Sequence, residues 1–247
     1  MPRRLLLFLI VCLLDLPFGG SAGRCMAEDK KLLPNPSDPL ADIKERAKKG
    51  DVAAQLQLGV AFISGQGATK DPVEAVKWIR MAANQSDADA QSKMGFCYAN
   101  GVGVTKDMTE AVRWYQLAAS QSYAKAEYNL GACYAKGEGV AKDSVVAAWW
   151  LRRAAQQNYT DAQYYLGILY GQGEGVKQDY VEAYQWLSWA AVNGRDDALA
   201  SIATLEELMT KEQIAVAQKR ALSFSPQKEV NEQQAPARPM GKRPGQR

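Results

Sequence analysis

Between residues 51 and 195 the apolar positions follow two periods at once. The short one is helical. Ala54, Leu58, Ala61 and Phe62 fall at i, i+4, i+7 and i+8, one face of a helix running from about Asp51 to Ser64. Ala75, Trp78, Ile79 and Ala82 make a second stripe, on a helix from about Pro72 to Gln85. The long period is 36 residues, and it repeats this pair of helices four times without an insertion. Ala54 returns as Ala90, Ala126, Ala162 and Ala198; Gly59 as Gly95, Gly131 and Gly167; Trp78 as Trp114, Trp150 and Trp186. Small residues at 54, 59, 75 and 82 let the helices approach closely, and the aromatics at 62 and 78 fill what remains. The tryptophans therefore read as the core of helix B.

The turn inside each unit repeats as well: GQGATKD at 65–71, GVGVTKD at 101–107, GEGVAKD at 137–143 and GEGVKQD at 173–179. The first glycine of each (Gly65, Gly101, Gly137, Gly173) follows helix A, where a left-handed residue closes the helix. The second (Gly67, Gly103, Gly139, Gly175) allows another unusual turn. Asp71, Asp107, Asp143 and Asp179 stand at the N-cap of helix B, and Glu74, Glu110 and Glu182 are placed to complete capping boxes, which Val146 denies to the third unit. The glycines do not cradle a phosphate: there is no third glycine, no GK[ST] ending and no preceding strand.

The combined pattern AxxxLGxxYxxGxGVxKDxxxAxxWxxxAA resembles the Sel-one-like repeat, a relative of the tetratricopeptide repeat, over residues 51–195. The resemblance implies an all-α fold, a right-handed α/α superhelical solenoid of 36-residue helix-turn-helix units. It also implies protein binding as adaptor or regulator, with helix A lining the concave face, and not catalysis. Gln178 in place of the loop lysine and Ala68 in place of the loop valine are the departures.

A solenoid needs capped ends. Residues 38–50 offer an N-terminal helix, and 196–224 offer two more, the second opened by a Thr210–Gln213 capping box. From 225 to 247 the chain lacks large apolar residues beyond Val230 and Met240 and reads as a disordered basic tail. It is either a plain solvated end or a weak tether to an acidic or membrane surface.

At the other end a basic stretch, then the ten apolar residues of 5–14, then Asp15, read as a signal peptide cleaved after Ala22, with Ala27 as the alternative and an uncleaved anchor as the competitor. Residues 23–37 form a linker. The expected location is the periplasm or outside the cell. Arg24 argues against lipidation of Cys25. Cys97 and Cys133, one repeat apart, are expected to be too distant for a disulfide and to be small buried residues.

Composition removes whole classes of chemistry. There is no histidine, hence no Ser–His–Asp triad and no His-ligated metal. No cofactor is expected. A net charge of +3 does not suggest nucleic-acid binding. Ser122 and Lys125 match SxxK, but the corresponding pairs Ser86/Asp89, Asn158/Asp161 and Gly194/Asp197 show repeat drift, and no KTG accompanies them. A cell-envelope hydrolase, β-lactamase-like or peptidoglycan-active, is kept as the alternative.

Binding has more to stand on. On helix A the side away from the core carries positions 56, 60 and 63: Leu56, Val60, Ile63; Ser92, Phe96, Ala99; Tyr128, Ala132, Ala135; and Tyr164, Ile168, Gly171. Ser92, Phe96, Tyr128, Tyr164, Tyr165 and Ile168 are the candidates for contact with a protein or peptide, with Gln57, Lys93 and Asn129 beside them. Packing against neighbouring helices is the competing reading, foremost for Leu56, Val60 and Ile168. Trp149 and Trp189 fall outside the repeat and are candidates for a surface patch. The protein is expected to be monomeric.

Overall fold

The computed structural model describes residues 38–223; the proposed signal peptide, the linker and the basic tail lie outside the described residues. Every regular element described is helical. α1 (Ala41–Lys48) precedes four hairpins: α2 (Val52–Ser64) with α3 (Pro72–Asn84), α4 (Ala88–Asn100) with α5 (Met108–Ser120), α6 (Ala124–Lys136) with α7 (Ser144–Gln156), and α8 (Thr160–Gln172) with α9 (Tyr180–Val192). α10 (Asp197–Glu206) and α11 (Lys211–Ser223) follow, both against α9. Each hairpin packs on itself, and its second helix packs on the first helix of the next, which makes an α/α solenoid.

Inside a hairpin the contact is glycine against a bulky residue. A Cβ added at Gly95 would lie 2.5 Å from the Tyr115 ring. Gly59, Gly131 and Gly167 meet Ile79, Leu151 and Leu187 in the same way. These bulky residues, one position after the tryptophans, are the buried pegs of helix B. The tryptophans themselves divide: Trp114 and Trp186 are buried, but Trp78 and Trp150 are only half-buried against the cores of the first and third hairpins. The tryptophans are therefore core residues in two of the four units, while the residue after each takes the glycine notch in all four.

The repeated loop has a second duty. Gly65, Gly101, Gly137 and Gly173 take the left-handed conformation that closes helix A. Gly103, Gly139 and Gly175 are left-handed too, but they also press against the start of the preceding helix B. A Cβ on Gly103 would lie 1.9 Å from the Pro72 carbonyl oxygen. In the first unit Gly67 sits instead against Pro39 and Leu40, ahead of α1.

Asp71, Asp107, Asp143 and Asp179 cap helix B as expected, each carboxylate accepting from two N–H groups of the first turn. The capping box does not form in these helices. It needs the aspartate's own N–H, and that group donates to the carbonyl of Phe62 (2.9 Å), Tyr98 (2.9 Å), Tyr134 (2.9 Å) and Tyr170 (3.0 Å). Glu74 and Glu110 pair instead with Lys77 and Arg113. The box does close at α11, where Thr210 N–H donates to Gln213 (2.9 Å) and Gln213 N–H to Thr210 (3.2 Å).

A buried polar residue recurs on each helix A: Gln55, Gln91, Glu127 and Gln163. The three glutamines donate to the carbonyls of Ala47 (3.1 Å), Ala83 (3.3 Å) and Ala155 (3.2 Å) on the preceding helix. They accept from Gln85, Gln121 and Asn193, each at 2.8 Å, at the end of their own helix B. Buried amides are thus satisfied on both sides.

Cys97 and Cys133 are free and buried. Burial pushes both thiols up to about 11. The thiolate is the reactive form, so at pH 8 only roughly a thousandth of each native thiol is nucleophilic. Alkylation at pH 8, mapped by mass spectrometry, should label these two residues only after denaturant unfolds the chain. For the seams, urea denaturation of Gly101→Ala should show a loss of about 1–2 kcal/mol from the left-handed residue. Gly103→Ala should lose about 2–5 kcal/mol, because the backbone clash adds to the same strain.

Candidate interaction face on the A helices

Helix A starts differently along the chain, and that difference shapes its surface. Asp51 and Asp87 cap α2 and α4, accepting from the N–H groups of Ala54 (3.0 Å) and Ala90 (2.7 Å). Tyr123 and Tyr159 hold the same place before α6 and α8 and make no side-chain cap. Their rings are turned to other partners: the Tyr123 hydroxyl donates to Asp89 (2.8 Å), and Tyr159 packs against Tyr128 with ring centroids 5.1 Å apart.

The outward stripe of helix A runs through Gln57 and Val60, Lys93 and Phe96, Asn129 and Ala132, then Tyr165 and Ile168. Three large side chains on it face solvent: Val60 (39%), Phe96 (49%) and Tyr165 (42%). Each lies on a different helix A, held at a spacing set by the stacked hairpins. Lys93 is occupied by Asp89 (2.5 Å).

The positions one residue earlier on the stripe lie between neighbouring A helices. Ser92 is 2% exposed, so this candidate belongs to the interior and not to the face. Leu56 and Ile63 pack on the core shared by the first and second hairpins. Tyr128 and Tyr164 are half-buried in a ring cluster: Tyr128 lies 5.9 Å from Tyr165, and Tyr164 lies 5.4 Å from Tyr165, edge to face. Burial, foremost, raises the Tyr128 phenol above its ordinary value. Ile168 is half-buried against the core at the end of the solenoid. Of the six candidates, Phe96 and Tyr165 are open, three are shared between packing and surface, and one is enclosed.

Arg195 completes the tyrosine cluster. Its guanidinium lies 4.5 Å from the Tyr164 ring centre and 5.8 Å from that of Tyr165. It donates to Asp197 (2.7 and 2.9 Å) and to Asp161. Sequence reasoning missed Tyr159 and Arg195, although one signal was available. The N-cap position reads Asp51, Asp87, Tyr123 and Tyr159 along the chain and its repeat equivalent is Arg195, so its capping duty is abandoned halfway.

Trp149 and Trp189 do not join this face. Trp149 lies on α7, half-buried, edge-on to Trp150 at 4.4 Å and covered by Arg153 at 5.0 Å. Trp189 is half-buried on α9. The loop glycines and cap aspartates lie at the far ends of the A helices and serve the turns.

The SxxK match has no catalytic geometry. Ser122 holds a left-handed turn at φ 59°. Its hydroxyl accepts from Arg153 (3.2 Å), and no hydrogen bond joins it to Lys125. Among the described residues no group of three His, Cys, Asp or Glu side chains is arranged to hold a metal ion.

Comparisons with known proteins agree with this architecture. The Sel1 repeat model matches residues 52–87, 88–123, 124–159 and 160–191, and these segments are the four hairpins. The chain is 33% identical to a Sel1 repeat protein from Oxalobacter formigenes of known crystal structure, covering 76% of this chain and 80% of that one, with a TM-score of 0.66. It is 26% identical to c5321, a protective antigen of uropathogenic Escherichia coli with an SLR fold, over 84% of this chain and 53% of that one, with a TM-score of 0.52. No curated protein matches. With four consecutive matches coinciding with four observed hairpins, the chain belongs to the Sel1 repeat family.

Proposed function

We propose that this chain is an exported, non-catalytic scaffold that holds a protein or an extended peptide on the outward stripe of its A helices. Sel1 repeat proteins are generally protein-interaction scaffolds, which sets the class. The observation that carries the reading is the row Val60, Phe96 and Tyr165. Large apolar and aromatic side chains stand in solvent on three of the four A helices, α2, α4 and α8, where a partner could cover them. Tyrosine suits such a place, because its ring is apolar and its hydroxyl tolerates water before binding. Gln57 and Asn129 lie between them and can hydrogen-bond the backbone of an extended segment.

Export is supported by the charge and apolar pattern of residues 1–22, and it places the partner in the periplasm or outside the cell. The protein acts as a monomer in this reading, and the basic tail adds at most a weak contact with a membrane surface. The hydrolase alternative gains no support from the surroundings of Ser122.

The test is capture from an envelope fraction by the purified chain. Phe96→Ala with Tyr165→Ala should lose the bound protein. Phe96→Ala should shift stability by about 0.5 kcal/mol, as exposed positions do, and Tyr165→Ala should cost about 1 kcal/mol, because its ring also packs on Tyr128 and Tyr164. An unchanged bound set with the fold intact would place the site elsewhere. Tyr128→Ala is unsuitable for this purpose: it should cost about 2 kcal/mol in a denaturation experiment, because its ring is part of a packed cluster.

A further inference from the structure

The charges on the outward stripe of the A helices are matched everywhere except on α6. On α4, Asp89 accepts from Lys93 (2.5 Å) and from the Tyr123 hydroxyl (2.8 Å). On α8, Asp161 is paired with Arg195. α2 has no charged residue at all. α6 presents two lysines on this side, Lys125 in its first turn and Lys136 in its last. Both are exposed, and neither makes a hydrogen bond or an ion pair among the described residues. They are three turns apart, so they stand about 16 Å from each other along one side of α6.

Neither the helix nor the repeat asks for Lys125. Its equivalents are Asp89 and Asp161, which carry the sign that the first turn of a helix favours; a lysine there opposes the helix dipole. Lys136 suits a last turn, but its equivalents Ser64, Asn100 and Gln172 are neutral. Between the two lysines stands Ala132, where the neighbouring A helices carry Phe96 and Ile168. A small side chain between two bulky ones leaves a dip in the face, open to solvent beside Phe96 on one side and Tyr165 on the other.

We infer that the partner held on this face is an acidic extended segment, which sets a bulky apolar side chain over Ala132 and carboxylates on Lys125 and Lys136. The inference rests on the binding reading above and names the chemistry of its partner. A chain crossing α6 between Phe96 and Tyr165 has a lysine about 8 Å to either side, and a lysine's flexible stem lets its charge lean towards a carboxylate on that chain. The two charges that the protein leaves unmatched on the stripe are then matched by the partner. Lipid surfaces and nucleic acids are held by larger clusters of basic residues than this pair. The chain's own basic tail has the wrong sign for the site.

Fluorescence anisotropy with the purified chain and a labelled peptide, one phenylalanine between two runs of glutamate, tests this. The wild-type protein should bind the peptide, and less tightly as salt is raised. Lys125→Ala with Lys136→Ala should weaken binding about tenfold, the combined weight of two exposed ion pairs. Lys70→Ala with Lys106→Ala removes the same charge from the exposed loops and should change it by less than about twofold. Replacing the peptide's phenylalanine by glutamine should cost about tenfold as well. All four lysines are exposed, so both double variants should keep the helical circular dichroism of the wild type. No binding by the wild-type chain, equal losses in the two double variants, or indifference to the phenylalanine would each overturn the acidic partner. Attachment to phosphatidylglycerol vesicles in place of the peptide would overturn it in favour of a lipid surface. A neutral peptide with glutamine for every glutamate separates this inference from the binding face. If it binds as tightly as the acidic one and Phe96→Ala with Tyr165→Ala releases both, the face stands and the acidic partner falls. If Phe96→Ala with Tyr165→Ala changes neither peptide binding nor capture from the envelope fraction, the face itself falls.

Discussion

Everything in this protein depends on how closely one repeat can approach the next. The limit is set by backbone on backbone: Gly103, Gly139 and Gly175 press on the first residues of the preceding helix B, where a single methyl group has no room. The glycine does this while holding a left-handed turn, so two demands meet on one residue. Because the loop docks on the unit before it, its length cannot drift. A constant loop length gives a constant rotation between units, and the outward residues of helix A then form a line.

Polar chemistry refines the same seam. The buried glutamines satisfy their own amides while joining three helices, which makes each joint specific as well as tight. At Glu127 an acceptor-only group enters this pattern and changes its partners. Burial raises its carboxyl above the ordinary range, Arg153 opposes that rise, and the arginine in turn spreads over Trp149 and Trp150. The same arginine donates to the Ser122 hydroxyl at the end of the second repeat (3.2 Å), so the tie to that repeat runs through Arg153.

The exposed stripe on the A helices is a surface where the repeat does not explain the residue. Helix B places a bulky residue in the glycine notch in every unit. On helix A the outward side varies from Val60 and Phe96, both open, to Ala132 and Ile168, both half-buried. A protein-binding role accounts for it, since a partner needs different contacts at each step of an otherwise regular scaffold.

The 36-residue period, the helix limits, the cap aspartates and the closing glycines were legible from residues alone, because each answers a local demand of backbone geometry. Tertiary structure decided what local rules cannot reach. The capping boxes fail because Phe62 and its counterparts supply a competing carbonyl across the loop. Ser92 leaves the candidate face because a neighbouring helix covers a side of helix A that a helical wheel draws as open. Trp78 and Trp150 are only partly covered, while the residue after each tryptophan takes the glycine notch. Arg195 joins Tyr164 and Tyr165 from the fifth, incomplete unit. Periodicity reports which residues share a face of one helix; the angle between stacked hairpins decides which part of that face meets another helix and which part meets water.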